Sequence, residues 1–150
     1  MQATEVLPQH HRTCDSLFAA AEDSAMAGRW QECGEKFDRF RREVEAHFAT
    51  EEQVLFPAFE AASGSAMGPT RMMRMEHGQM NTLLGALAAA VAGRDVHAFA
   101  GNAETLVVMM QQHNMKEENI LYPMCDGVLS GQPLPLEAEL AKRAAASCPT

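Results

Sequence analysis

Four stretches of this chain place apolar residues at alternating steps of three and four, the period of a helix that buries one face. The first runs Leu7, His11, Cys14, Phe18, Ala21, Ala25. The second runs Trp30, Cys33, Phe37, Phe40, Val44, His47, Glu51, Leu55. The third runs Met73, His77, Met80, Leu84, Leu87, Val91, and the fourth Phe99, Ala103, Leu106, Met110, His113, Glu117, Ile120, Met124. Gly28, the loop 63–69, Gly93 to Asp95 and a Pro/Gly-rich linker from Gly127 to Pro135 separate or follow them. β-branched residues are few, and no Asn-Gly or Asp-Gly turn sits between alternating runs, so a sheet is disfavoured. The expected fold is all-α, an up-down-up-down four-helix bundle over residues 1–128. Residues 129–150 form a linker and tail, with Leu136 to Ala146 as a short extra helix. Pro8 and Pro69 suit first-turn positions, whereas Pro57 and Pro123 fall late in the second and fourth helices and should kink or end them.

Every stripe also carries a histidine, and two carry a glutamate, on the face that must turn inward. An ionised carboxylate in a core costs several kcal/mol unless something compensates it. A lone core histidine usually just satisfies a hydrogen bond, and one His-x-x-x-Glu pair is commonplace in a chain with six histidines and 20 acidic residues. The pattern here is not single. His47-Phe-Ala-Thr-Glu-Glu-Gln-Val-Leu-Phe-Pro57 aligns with His113-Asn-Met-Lys-Glu-Glu-Asn-Ile-Leu-Tyr-Pro123, identical at five of 11 positions and offset by 66 residues. The same offset carries His11 onto His77, Leu17 onto Leu83 and Phe18 onto Leu84.

The chain therefore reads as two helix pairs related by a pseudo-two-fold axis. Residues four apart share a helix face, so His47 and Glu51 point one way, as do His113 and Glu117. With His11 and His77 they make four imidazoles and two carboxylates converging from four helices, enough for two metal ions with the carboxylates placed to bridge. Such nitrogen and oxygen donors suit iron, manganese or zinc better than calcium or copper(I). His10 competes with His11 for the first position; the repeat register favours His11. Glu52 and Glu118 read as solvated or as partners steering an imidazole N–H. Asp15 and Asn81 read as helix-interior polar residues or as groups near a ligand. Cys14 and the methionines clustered from Met72 to Met124 read as core filler, with a polarisable lining near the metals as the sharper alternative. Tyr122 replaces Phe56 across the repeat, and its hydroxyl is not structurally demanded.

These motifs resemble the hemerythrin-like (HHE cation-binding) family of four-helix bundles. Gln-His-His-Arg near the start, His47 to Pro57, Glu76-His77 and His113 to Pro123 carry the resemblance, which covers about residues 5 to 128. It implies a non-haem di-iron centre with carboxylate and oxo-type bridges. His11, His47, His77 and His113 would be terminal ligands, and Glu51 and Glu117 would bridge. Oxygen-carrying hemerythrins have a further third-helix histidine where this chain has Asn81, and an aspartate five residues on in the last motif, where this chain has Glu117 at four. The four-His, two-Glu set is more similar to bacterial relatives linked to nitric-oxide stress and damaged iron–sulfur centres.

Other classes are disfavoured. The net charge of −8 and the lack of a Lys/Arg cluster argue against nucleic acid. The longest nearly apolar run, Leu83 to Gly93, is 11 residues, against the roughly 18 that a membrane span needs. No secretion signal is visible and Cys14, Cys33, Cys125 and Cys148 form no C-x-x-C pair, so the expectation is reduced thiols in a cytoplasmic protein. With no Glu-x-x-His pair, no His-Glu-x-x-His string and no phosphate loop, a redox or metal-binding protein is expected rather than a turnover enzyme. The leading expectation is a di-iron protein that binds or reacts with a diatomic ligand, oxygen or nitric oxide. The alternative is iron storage, delivery or sensing. Nothing in the sequence names a protein partner.

Overall fold

Helix ends fall where the punctuation residues sit. The structure, a computed structural model, describes residues 3–65 and 67–146. Helix α1 spans Ala3–Met26; α2 runs Trp30–Thr50, passes through a π-turn at Glu51–Leu55 and resumes as Phe56–Ser63. Helix α3 spans Pro69–Ala92; α4 runs Val96–Lys116, passes through a second π-turn at Glu117–Leu121 and resumes as Tyr122–Val128; α5 spans Leu136–Ala146. Gly64 closes α2 at φ 74°, a left-handed conformation that costs glycine little, with its N–H on the Glu60 carbonyl. Pro69 opens α3, and the Asp95 carboxylate caps α4 by accepting the Ala98 N–H at 3.0 Å. The result is an all-α bundle with a short extra C-terminal helix; no strand occurs among the described residues.

Helix α1 packs chiefly on α2 and α3 on α4, and contacts of α2 with α3 and of α1 with α4 close the bundle. The core is divided. One apolar cluster gathers Cys14, Phe18, Phe37, Phe40, Met80, Leu84, Phe99 and Leu106. A second gathers Leu7, Leu55, Phe56, Phe59, Met73, Leu121, Tyr122 and Cys125, and α5 adds Leu136 and Leu140 to it. Between them, in sequence and in space, lie the buried histidines and glutamates. No helix among the described residues is long and apolar enough to cross a membrane.

The prolines depart from expectation. Pro8 lies in the second turn of α1, because the helix starts earlier, at Ala3. Its first donors are held by Asp126 at the end of α4, which accepts the Ala3 N–H at 2.9 Å and the Thr4 N–H at 3.1 Å. Pro57 and Pro123 do not end their helices. A proline inside an α-helix removes a hydrogen bond and presses its ring on the carbonyl four residues back. Here each is preceded by a π-turn, in which the Phe56 N–H reaches the Glu51 carbonyl and the Tyr122 N–H that of Glu117, and each becomes a first-turn residue of the resumed helix. The extra residue per turn also shifts the face that follows. Ile120 and Met124, expected inside, are 55% and 43% exposed, and Leu121, Tyr122 and Cys125 take their place. Met72, Met75 and Met115 are likewise exposed, so only part of the methionine cluster, Met73 and Met80 above all, is core. Cys14, Cys33 and Cys125 are buried free thiols; Cys148 lies outside the described residues.

Candidate metal centre

All six expected residues come together, none more than 5% exposed. His11 arrives from α1, His47 and Glu51 from α2, His77 from α3, His113 and Glu117 from α4. They form two groups of four, His11, His47, Glu51, Glu117 and His77, His113, Glu51, Glu117, whose ligand atoms lie within 4.8 Å of one another. Both carboxylates belong to both groups. Glu51 turns Oε2 to His47 Nε2 at 3.4 Å and Oε1 to His77 Nε2 at 3.0 Å. Glu117 turns Oε1 to His11 Nε2 at 3.1 Å and Oε2 to His113 Nε2 at 3.3 Å. One oxygen of each glutamate in each half is the arrangement that a pair of cations bridged by carboxylates requires.

Every imidazole presents Nε2 inward, and each Nδ1 is tied down outside. His11 Nδ1 meets Glu118 Oε2 at 2.7 Å, His77 Nδ1 meets Glu52 Oε2 at 2.6 Å, and His113 Nδ1 meets Glu76 Oε1 at 2.7 Å. A proton on Nδ1 shared with a carboxylate fixes the ring and leaves the Nε2 lone pair for a metal. Glu52 and Glu118, which sequence alone leaves between solvent and site, are therefore orienting partners, each serving the histidine of a neighbouring helix. His47 differs. Its Nδ1 lies 2.8 Å from His10 Nδ1, and His10 Nε2 lies 3.0 Å from Glu43 Oε1. His10 thus stands outside the cluster and His11 inside it. The repeat offset maps His10 onto Glu76, a signal in the sequence that would have found both roles. Asn81 is exposed, so α3 brings one residue, His77, to the cluster.

Tyr122 is the residue that sequence reasoning passed over. Its hydroxyl lies 2.5 Å from Glu51 Oε2, 2.8 Å from Glu117 Oε1, 3.2 Å from His11 Nε2 and 3.3 Å from His47 Nε2. It adds a fifth oxygen to one half alone, since Phe56 holds the equivalent place in the other. In an α-helix a residue five positions on is rotated by about 140°. The π-turn after Glu117 brings it back over the same face.

The second half supplies the test of fit. Glu51 Oε1, Glu117 Oε2, His77 Nε2 and His113 Nε2 are buried, and no hydrogen bond satisfies any of them. Buried polar atoms are rarely left so, and four that converge within ligand distance of one another accommodate a cation. Without one, the charges adjust. Burial pushes the Glu117 carboxyl up, and the nearby Glu51 adds to it; burial also opposes the charged form of Glu51, but His47 and hydrogen bonds from neighbours hold that carboxyl well below the usual range. Burial lowers His47 to about 3. His77 rises to about 9, because Glu51 and Glu52 together outweigh its burial. Protons thus stand in for the positive charge that two cations would supply.

The sequence matches the profile of the hemerythrin HHE cation binding domain over residues 2–125. The chain belongs to the hemerythrin HHE family. Searches of curated proteins and of solved structures gave no match. As a hemerythrin HHE domain the chain is a cation-binding bundle, and the His/Glu cluster is where its cations fit. The family match ends at residue 125, so the tail that includes α5 lies beyond it.

Proposed function

We propose that this hemerythrin HHE domain is a non-haem di-iron protein of the cytoplasm that binds or reacts with a small diatomic ligand, oxygen or nitric oxide. One observation carries the reading: two four-residue groups share both glutamates, each oxygen of which faces a different half. Four nitrogens and two carboxylates suit iron, with manganese and zinc as the other ions such donors accept. His11 and His47 would hold one ion, His77 and His113 the other, and Glu51 and Glu117 would join them. Iron there would supply one-electron exchange at each ion toward the small ligand.

The chain's own residues prepare that chemistry. Glu118, Glu52 and Glu76 keep three imidazoles in the tautomer that offers Nε2 inward. The apolar clusters on either side keep bulk water out. Phe48 stacks on His77 at 4.1 Å between ring centroids and shields that half. Complete burial of both glutamates favours resident ions over cargo, and this separates redox work from storage or delivery.

Aerobic iron loading tests the proposal. We expect two irons per chain, absorption from an oxo-bridged ferric pair, and a spectral change when the reduced protein meets oxygen or nitric oxide. Two irons that leave readily to a mild chelator, with no such absorption, would replace it with the iron-delivery reading.

A further inference from the structure

The pseudo-two-fold symmetry of the site fails in one place, and a cavity opens there. It measures about 240 Å³ and reaches from the His11 and His47 rings to the surface between α1 and α4, walled by Phe18, Phe40, Val44 and Leu106. Cys14 and Asn114 also line it. Across the 66-residue offset, Cys14 corresponds to Met80 and Asn114 to Phe48. Met80 is fully buried, and Phe48 lies flat on His77. In the His77 half, then, two large side chains fill the space that a thiol and an amide leave open in the His11 half. The asymmetry is written in the sequence at two positions.

The cavity has more room than a diatomic molecule needs. An apolar cavity of roughly 150 Å³ already takes up benzene, so this one has space for a ring with a substituent. Its polar features narrow the choice. Asn114 Oδ1 is buried with no hydrogen-bond partner and calls for a donor. Asp15 and Glu22 stand on the lining and would repel an anion.

We infer that the cavity is a binding site for a small neutral organic molecule, one ring in size, with an apolar body and a single hydroxyl or N–H group, of the phenol class. It would lie against the His11/His47 half and leave the His77/His113 half closed. The inference rests on the metal reading only for what the bound molecule would adjoin; the cavity itself is shaped by Cys14 and Asn114.

Metal-loaded protein, titrated with phenol, benzene and benzoate and followed by calorimetry and thermal shift, tests it. We expect saturable binding of one phenol per chain, benzene weaker by about fivefold for the lost hydrogen bond, and no binding of benzoate. Asn114→Leu, close to isosteric, should bring phenol down to the benzene level. Cys14→Met with Asn114→Phe, which copies the filled half, should abolish binding while the metal content stays at two per chain. If the double variant does not fold, Cys14→Ala reads the same cavity from the other side, with phenol binding retained. Absence of saturable phenol binding to the unaltered protein, or phenol binding unchanged in the filled variant, overturns the inference. Phenol binding by a protein that takes up no metal would overturn the function proposed above and leave this site standing.

Discussion

Four imidazoles show the same nitrogen to the centre of this bundle, but they are not held alike. Three lean on carboxylates, while His47 leans on His10, which in turn leans on Glu43. The two adjacent histidines should therefore behave differently on truncation. His11→Ala removes a donor, and we expect one ion of two to be lost. His10→Ala removes only a brace, and we expect both ions to bind, with affinity lowered about 10–100-fold; metal analysis after dialysis against graded chelator separates the cases. The site also carries a pH signature. His77, raised to about 9 in the metal-free protein, contributes stability that is complete below its ordinary value of 6.5 and lost as pH climbs through about 9. Urea midpoints of metal-free protein should fall between pH 7 and 10, by up to about 3 kcal/mol. The metal-loaded protein, whose ion has displaced that proton, should show no such fall. At this scale the sequence was informative about ligands and poor about their supports. His11, His47, Glu51, His77, His113 and Glu117 stand on apolar stripes where their polarity is conspicuous. Glu52, Glu118, Glu76 and Glu43 stand off the stripes, where an acid is ordinary until the neighbouring helix is in place.

The two π-turns are the elements that periodicity could not foresee. Up to Glu51 and Glu117 the alternating steps of three and four name the buried residues almost without error. Beyond them the fourth stripe continues on the wrong face, because a wider turn spends one residue more and carries Leu121 and Tyr122 inward in place of Ile120. The second stripe survives by ending at Leu55, itself within the turn and 1% exposed. The prolines were the available clue. Each repeat carries Leu-aromatic-Pro six residues after its glutamate, and a continuous helix tolerates proline there only if the turn before it widens. Deleting Asn119 should restore α-helical register. We expect Tyr122 and Leu121 to leave the core at a cost of about 3–5 kcal/mol, read from urea unfolding, together with loss of ion binding in the His11/His47 half. A mere spacer role for the segment would leave both unchanged.

Across the whole molecule, a layer of buried acids and imidazoles separates two apolar clusters, and each of the four long helices passes through that layer. A native-state ligand present at about a thousand times its Kd adds roughly 4 kcal/mol. Stripping the metal should therefore lower the thermal midpoint markedly. Hydrogen exchange should quicken first at 51–55 and 117–121, the midsections of α2 and α4, and not at the helix ends. Exchange that starts at the loops and leaves these segments protected would show that the layer is rigid on its own. The tail illustrates what a stripe pattern cannot convey: α5 was readable as a helix, but its seat, with Leu136 and Leu140 in the second cluster, depends on a surface that only the folded bundle offers.

The location of that layer also bears on how the chain can be rewired. Ligands fastened at the middle of each helix take their positions from neighbouring helices and not from the turns that join them. The connection at Gly64 and Gly68, remote from every donor in sequence, could be opened and the original ends linked, since α5 already lies against α1. Such a circular permutant would keep its complement of ions, which marks the order of the helices along the chain as incidental to the metal chemistry they enclose.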